Sequence, residues 1–191
     1  MKTASAGDAE WLCGLEVGEL VDLVIRRAAH EDAEDIAEIY NYYVLGSTVT
    51  FDTEPKSAED RIRWMEEHDE LYPVLVGEID GEIVVWGALT RWALRPAWRH
   101  TVEISVYVAG DSTGRGIGPA MTEALVSEAT RLGHHALIAQ IVAENGVSLV
   151  MSQRQGFERV GILREVGRKF DRWLDVVLVE RILGDPYGWE N

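Results

Sequence analysis

Residues 101–121 read TVEISVYVAGDSTGRGIGPAM: a β-branched run enters a loop with glycines at 114, 116 and 118, then an apolar helix-like segment. A loop of this kind offers unencumbered backbone N–H groups at a helix N-terminus, where unpaired donors and the helix dipole together hold an anion. Diphosphate suits such a nest of amides. A second chemical signal lies in the strand itself. Glu103 is a carboxylate inside the otherwise apolar VEISVYV, a costly place for charge unless it has a partner or a task. Strand alternation gives a plain reading, a solvent-facing side chain. Proton transfer gives the functional one, because a carboxylate can take a proton from an ammonium group directly or through water.

The glycine loop does not read as a dinucleotide fingerprint. That motif needs G-x-G-x-x-G after the first strand of a βαβ unit. Here Pro119 stands where the third glycine belongs, and a long strand-rich section precedes the loop. A ligand bearing a pyrophosphate remains. Two adjacent histidines, His134 and His135, have no carboxylate companion at ligand spacing, so no metal site is expected.

The elements that must position these residues follow from periodicity. LVIRRA from Leu23 reads as a strand, and His30 to Tyr43 places Ala33, Ile36, Ala37, Ile39, Tyr40 and Tyr43 at helical spacing. STVTFDTEP predicts a strand and turn, with Ser57 and Asp60 opening a helix through about His68. PVLVGEIDGEIVVWGALTRW is a hairpin about Asp80-Gly81. Strand 101–108 and helix 117–132 follow, then strand ALIAQIV, a helix NGVSLVMSQRQ capped by Asn145, and strands FERVGIL and WLDVVLVERIL. This order predicts one α/β (α+β) domain, a mixed sheet with helices on both faces. Residues 1–21 read as an N-terminal extension, 22–184 as the domain and 185–191 as a tail.

Composition limits the partners. A chain of 191 residues suits one compact core. A formal charge of −15 argues against nucleic acid, whose phosphates need clustered Lys and Arg. Lysine occurs only at Lys2, Lys56 and Lys169, which fits either an arginine-favouring genome or a protein adapted to high salt. Cys13 is the single cysteine, so no disulfide framework or cysteine metal site is expected. With no apolar run near the ~20 residues of a membrane span, and no signal-peptide core, the expectation is a cytoplasmic protein without a membrane partner.

The strand-loop-helix VYVAGDSTGRGIGPAM resembles the acetyl-CoA loop of the GNAT N-acetyltransferases, and ENGVSLVMSQRQGF resembles their downstream helix and strand. STVTFDTEP, RHTVEISVYV and VGRKFDRWLDV are similar to the phosphinothricin and methionine sulfone or sulfoximine branch. The likeness runs from about Leu23 to Leu183. It implies a mostly antiparallel sheet with a splayed strand pair that binds acetyl-CoA. Pyrophosphate would meet the loop at Thr113, Gly114, Arg115, Gly116, Ile117 and Gly118, and the pantetheine arm would pair with Val106, Tyr107 and Val108. Asn145 and Ser148 would stand at the head of the next helix, Asn145 contacting the cofactor arm. Main chain would do most of the binding, which reconciles an acidic protein with a polyanionic cosubstrate.

The resemblance also assigns Glu103 as the general base and the Val108 N–H as the oxyanion donor. Ser152 stands where this branch usually has His and many other members a Tyr acid. Thiolate departure would then use Ser152, a water, or the low basicity of the thiolate itself. Thr113 replaces the Gln or Arg with which the loop often begins. Phe51 and Thr53 belong to the stretch that resembles the acceptor wall, and Arg91, Trp92, Arg95 and Arg99 fall on the loop before the Glu103 strand. Ala93 replaces an Arg common in relatives, leaving Arg91 or Arg95 to grip a substrate carboxylate. The implied reaction is acetyl transfer from acetyl-CoA to the α-amine of a small amino-acid-like acceptor, in a homodimer. Acetylation of protein N-termini or other amines, and a non-catalytic acyl-CoA sensor, are the alternatives.

Overall fold

The computed structural model describes residues 22–184. Residues 1–21, with Cys13, and 185–191 lie outside that range, as do the extension and tail expected there.

The order of elements is β1 (Val24–Arg27), α1 (Ala33–Gly46), α2 (Ala58–Glu66), β2 (Val74–Ile79), β3 (Glu82–Arg91), β4 (Thr101–Val108), α3 (Ile117–Arg131), β5 (Ala136–Val142), α4 (Gly146–Arg154), β6 (Glu158–Lys169) and β7 (Arg172–Ile182). The strands form one seven-stranded sheet in the order β1-β2-β3-β4-β5-β7-β6. Every pairing is antiparallel except β4 with β5.

Local chemistry explains the boundaries. Asp80 and Gly81 both have positive φ, 53° and 85°, the conformation that a two-residue hairpin turn requires. Ser57 accepts from the Asp60 amide while the Asp60 carboxylate accepts from the Ser57 amide, so two of the four orphan donors at the start of α2 are satisfied. Asp32 accepts from the Ala29 amide at 2.7 Å and from both terminal nitrogens of Arg26, which fixes the approach to α1.

The sheet carries helices on both faces. β3 shows the division by its alternation. Trp86 and Ala88 pack with Ile36, Tyr40 and Val44 of α1 and Met65 of α2, whereas Val85 and Leu89 pack with Met121, Leu125 and Ala129 of α3. Trp86 is 2% exposed and stacks on Tyr107 with ring centroids 4.7 Å apart.

Two expected elements differ from the observed ones. Residues 47–55 form no strand despite their β-branched composition. Side chains take the place of a ladder there: Tyr40 Oη lies 2.6 Å from Thr50 Oγ1 and donates to Asp52, while Lys169 Nζ donates to Thr50 O at 2.8 Å. Strand propensity expresses itself only where a partner edge is on offer. In contrast, the segment between the two C-terminal strands is not a loop. β6 runs on to Lys169 and turns into β7 through Phe170 and Asp171, both at positive φ.

Candidate active site

β4 and β5 face each other only at Thr101↔Ala136, Val102↔Leu137 and Glu103↔Ile138. Beyond that point β4 continues to Val108 and β5 to Val142 without pairing, so the sheet opens in its middle. The main chain of β4 is left with one unpaired side. Ala109 N donates to Val84 O at 2.8 Å, which makes that rung the hydrogen-bonded type. The neighbouring Val85↔Val108 rung is then the non-bonded type, and the Val108 N–H points away from β3 into the opening. The same alternation turns the Val106 and Ile104 main chain into it. Tyr43 closes one group, its hydroxyl donating to Val108 O at 2.6 Å.

The opening is a cleft of about 570 Å³. Val106, Tyr107 and Val108 line it from β4, Thr113, Gly114 and Gly116 from the loop, Ile117 and Gly118 from α3, and Asn145, Ser148 and Ser152 from the α4 region. The sequence therefore brings nearly the whole expected cofactor set to one surface. Arg115 lies in the same loop but outside the lining. Gly114 and Gly116 have φ of 78° and 79°, with nothing within 4 Å of where a Cβ would sit. Their requirement is conformational, the left-handed region that an L side chain rarely takes. Gly118 is different. It is a helical residue without positive φ, and an added Cβ would meet Val108 at 3.4 Å and Met151 at 3.5 Å.

The N-terminus of α3 has no side-chain cap. Its first amides, at Ile117 and Gly118, have no carbonyl one turn earlier, and Pro119 contributes no N–H. Donors and dipole converge on the loop, which is the chemistry of an anion site. Asn145 caps α4, its Oδ1 accepting from Ser148 N at 3.1 Å. Ser152 Oγ donates to Leu149 O at 3.0 Å, so its proton is engaged with its own helix.

Glu103 stands at the apex, half-buried, on the last paired rung. Burial pushes its carboxyl above the ordinary carboxylate range, and a hydrogen bond donated by Gln140 Nε2 at 3.0 Å opposes that rise. Directly across on β3 is Thr90, whose Oγ1 lies 3.3 Å from His68 Nε2. Glu103 thus shares the face of Trp86 and Tyr107 that α1 and α2 cover.

The acceptor candidates separate. Phe51 covers Gly167 of β6, where an added Cβ would come within 2.1 Å of its ring, and Thr53 is exposed beside it in the chain. Trp92, Arg95 and Arg99 occupy the loop leading into β4, next to the strand that carries Glu103; Arg95 and Arg99 are exposed and Trp92 is half-buried. Arg91 turns the other way. It pairs with Val102, of the α3-side core, and its guanidinium sits 5.0 Å from the Tyr72 ring centroid on that side. Arg91 therefore does not share a face with Glu103.

Sequence reading passed over four residues that the structure brings to the cleft or to the rings beside it. Tyr43 looked like a core position of α1, yet its hydroxyl reaches the cleft backbone. Arg154 and Gln140 line the cleft, the first a cation near the end of α4 and the second a polar residue inside an apolar strand. Gln140 carried a signal of the kind that singled out Glu103. Arg61 is 5% exposed, lies 4.0 Å from the Tyr40 ring centroid and 5.6 Å from that of Trp86, and leaves Nε and Nη2 without a hydrogen-bond partner. Burial lowers its pKa. Cation–π contact offsets part of the cost of that charge. No motif marks such a residue. His134, set aside as a metal ligand, is buried against Tyr72 and bonded to Leu71 O at 2.7 Å. Among the described residues no group of three His, Cys, Asp or Glu could hold a metal ion.

A sheet opened between a parallel strand pair, with an amide-rich helix start at its mouth and a half-buried carboxylate at its apex, is an arrangement suited to acyl transfer. The family described as Acetyltransferase (GNAT) domain matches residues 25–178, and the chain belongs to it. The chain is 38% identical over 157 residues to the L-amino acid N-acyltransferase MnaT of Escherichia coli (strain K12), covering 82% of this chain and 91% of that protein. It is 36% identical over 166 residues to a phosphinothricin N-acetyltransferase of Streptomyces coelicolor, covering 85% and 97%. The structure of yncA from Salmonella typhimurium, determined with its cofactor acetyl-CoA, superposes with a TM-score of 0.82 at 33% identity, covering 88% of this chain and 98% of that one.

Proposed function

We propose that the protein moves an acetyl group from acetyl-CoA to the α-amine of a small amino-acid-like acceptor, of the phosphinothricin, methionine sulfoximine or methionine sulfone type, by direct attack in a ternary complex. The observation that carries this reading is the unpaired side of β4, which ends at Glu103. An extended amide-bearing arm such as pantetheine would replace the missing strand pairing at Val106 and Val108, and the amides from Gly114 to Gly118 would take its pyrophosphate. Arg154 would add one charge to that contact. The related structure that holds acetyl-CoA supports the same use of the cleft.

Glu103 would take the proton from the acceptor ammonium, directly or through water, and the freed nitrogen would attack the thioester carbon. The Val108 N–H would hold the carbonyl oxygen as it gains charge. As the tetrahedral centre collapses, the nitrogen would give up its second proton to water, the carbon–sulfur bond would break, and the leaving thiolate would take a proton from water or from Ser152. The bond from Ser152 Oγ to Leu149 O favours water. Arg95 would receive the acceptor carboxylate, with Arg91 turned toward Tyr72. We further propose a cytoplasmic homodimer. Among the described residues no helix is long and apolar enough to cross a membrane.

The test is thiol release from acetyl-CoA over a panel of amines. Turnover with at least one free L-amino acid, sulfone or sulfoximine is expected. Turnover only with peptide N-termini or polyamines would retain the reaction and overturn the acceptor class; binding of acetyl-CoA without turnover of any amine would favour an acyl-CoA sensor.

A further inference from the structure

Glu103 has a single hydrogen-bond partner for its carboxylate among the described residues, and it comes from across the opening. On β5, Leu137 and Ala139 turn toward the α3 core. Ile138 and Gln140 turn the other way by alternation, toward the face of Glu103. Ile138 is the last residue opposite β4. At Gln140 the strands have begun to part, and only a side chain with reach can bridge them. Its Nε2 donates to Glu103 Oε1 at 3.0 Å, while Gln140 itself lines the cleft.

We propose that Gln140 is the positioning residue of the base, its carboxamide spanning the splayed strands to hold the Glu103 carboxylate at the apex where the amine must arrive. The proposal rests on the reading of Glu103 as the base.

The surroundings explain why an amide is suited to this post. Thr90 with His68 behind it faces Glu103 from β3, Tyr107 lies along its own strand, and Gln140 faces it from β5. Burial lowers the pKa of His68, which favours its neutral ring, and burial raises that of Tyr107. Among the described residues no Lys or Arg forms an ion pair with Glu103. A guanidinium at Gln140 would lower the proton affinity of the carboxylate so far that it made a poor acceptor for an amine proton. An apolar side chain would leave the upward push of burial on the carboxyl unopposed. A carboxamide donates to the ionised form through Nε2, and after proton transfer it can turn to accept from the protonated form through Oε1. It serves both states of the base without adding charge.

The experiment compares wild type, Gln140→Leu, Gln140→Ala and Glu103→Gln in kcat/KM against pH, with KM for acetyl-CoA recorded at each point. A carbon-13 label on the glutamate side chains follows the Glu103 carboxyl directly by NMR. For Gln140→Leu, kcat/KM at the acidic end of the profile is expected to fall about tenfold, the size of one hydrogen bond to a charged group. On the alkaline plateau the loss is smaller, and the Glu103 carboxyl titrates at higher pH. Gln140→Ala should behave alike. An acidic limb and a carboxyl titration that stay in place in both Gln140 variants, while Glu103→Gln lowers turnover by roughly 10²-fold or more, would overturn the inference and leave the base assignment standing. Full activity of Glu103→Gln would remove the base assignment and the inference together.

Discussion

Glu103 and Ile138 form the last rung between β4 and β5, so the carboxylate proposed as the base and the end of strand pairing coincide. The coincidence has a chemical use. A thioester carried along the unpaired side of β4 would reach its limit where pairing resumes, and Glu103, the proposed base, stands at that limit. Gln140 crosses the gap just beyond the rung, which ties the geometry of the opening to that of the base.

Replacement of Glu103 by Gln separates activity from stability. Turnover is expected to fall by roughly 10²-fold or more, the usual range for a general base, with partial recovery as pH rises and free amine accumulates. Stability should move in the opposite direction. Burial raises the Glu103 pKa in the folded chain, so the fold binds that proton more tightly than the unfolded state does. The ionised carboxylate therefore costs stability, and the cost grows as pH rises through the folded pKa. Glu103→Gln should melt at higher temperature than wild type near pH 7, with the gain vanishing below the unfolded glutamate pKa. Calorimetry at two pH values checks the sign, and wild-type turnover at neutral pH would show Glu103 to be structural.

The glycines of the loop are not equivalent. Gly116 is left-handed at φ 79°, whereas Gly118 is helical. Gly116→Val should distort the loop and weaken acetyl-CoA binding through strain of order 1–3 kcal/mol, without unfolding the domain. Gly118→Val should act by crowding Val108 and Met151 at the wall of the cleft. Unchanged acetyl-CoA affinity in a folded Gly116→Val protein, measured by titration calorimetry, would refute the anion role of the loop.

Much of this site was legible because its signals are local. A strand, a glycine loop and a helix contiguous in sequence must lie together in space, so Val106 to Gly118 could be placed from the chain alone. Asn145 was legible for the same reason, as a cap needs only its own helix. What escaped depended on distant partners. Residues 47–55 carry the composition of a strand and take another form because Tyr40 and Lys169 bond to them instead. Arg61 is recognisable only when the rings of Tyr40, Trp64 and Trp86 are seen around it. The direction of Arg91 depends on register, since a shift of one residue would turn it to the face of Glu103.

Association should be visible in solution. Leu94 is 87% exposed and Trp98 44% on the loop before β4, and edge strand β6 shows Val160, Ile162 and Val166 to solvent. Apolar surface of this kind, on a loop and a free sheet edge, suits a partner copy. Light scattering is expected to return a dimer at micromolar concentration, and a monomer would count against the proposal. With −15 of formal charge on each chain, added salt should tighten the dimer by screening repulsion between the copies.

The acceptor carboxylate provides the sharpest separation of roles. Arg95 lies on the exposed loop that leads into the Glu103 strand, while Arg91 is committed to Tyr72 on the opposite face. Arg95→Ala should therefore raise KM for the amino acid by the loss of a charge-assisted pair, about 1.5 to 3 kcal/mol or tenfold and more. KM for acetyl-CoA should stay nearly constant, because the cleft proposed for the cofactor is lined from β4, the glycine loop, α3, β5 and α4, and Arg95 is not part of that lining. Arg91→Ala should leave both constants close to wild type and reduce only stability, through lost stacking on Tyr72. The opposite result, a KM defect in Arg91→Ala with a silent Arg95→Ala, would place the acceptor on the α3 side of the sheet. Glu103 could not then reach its amine, and another base would have to be found on that face.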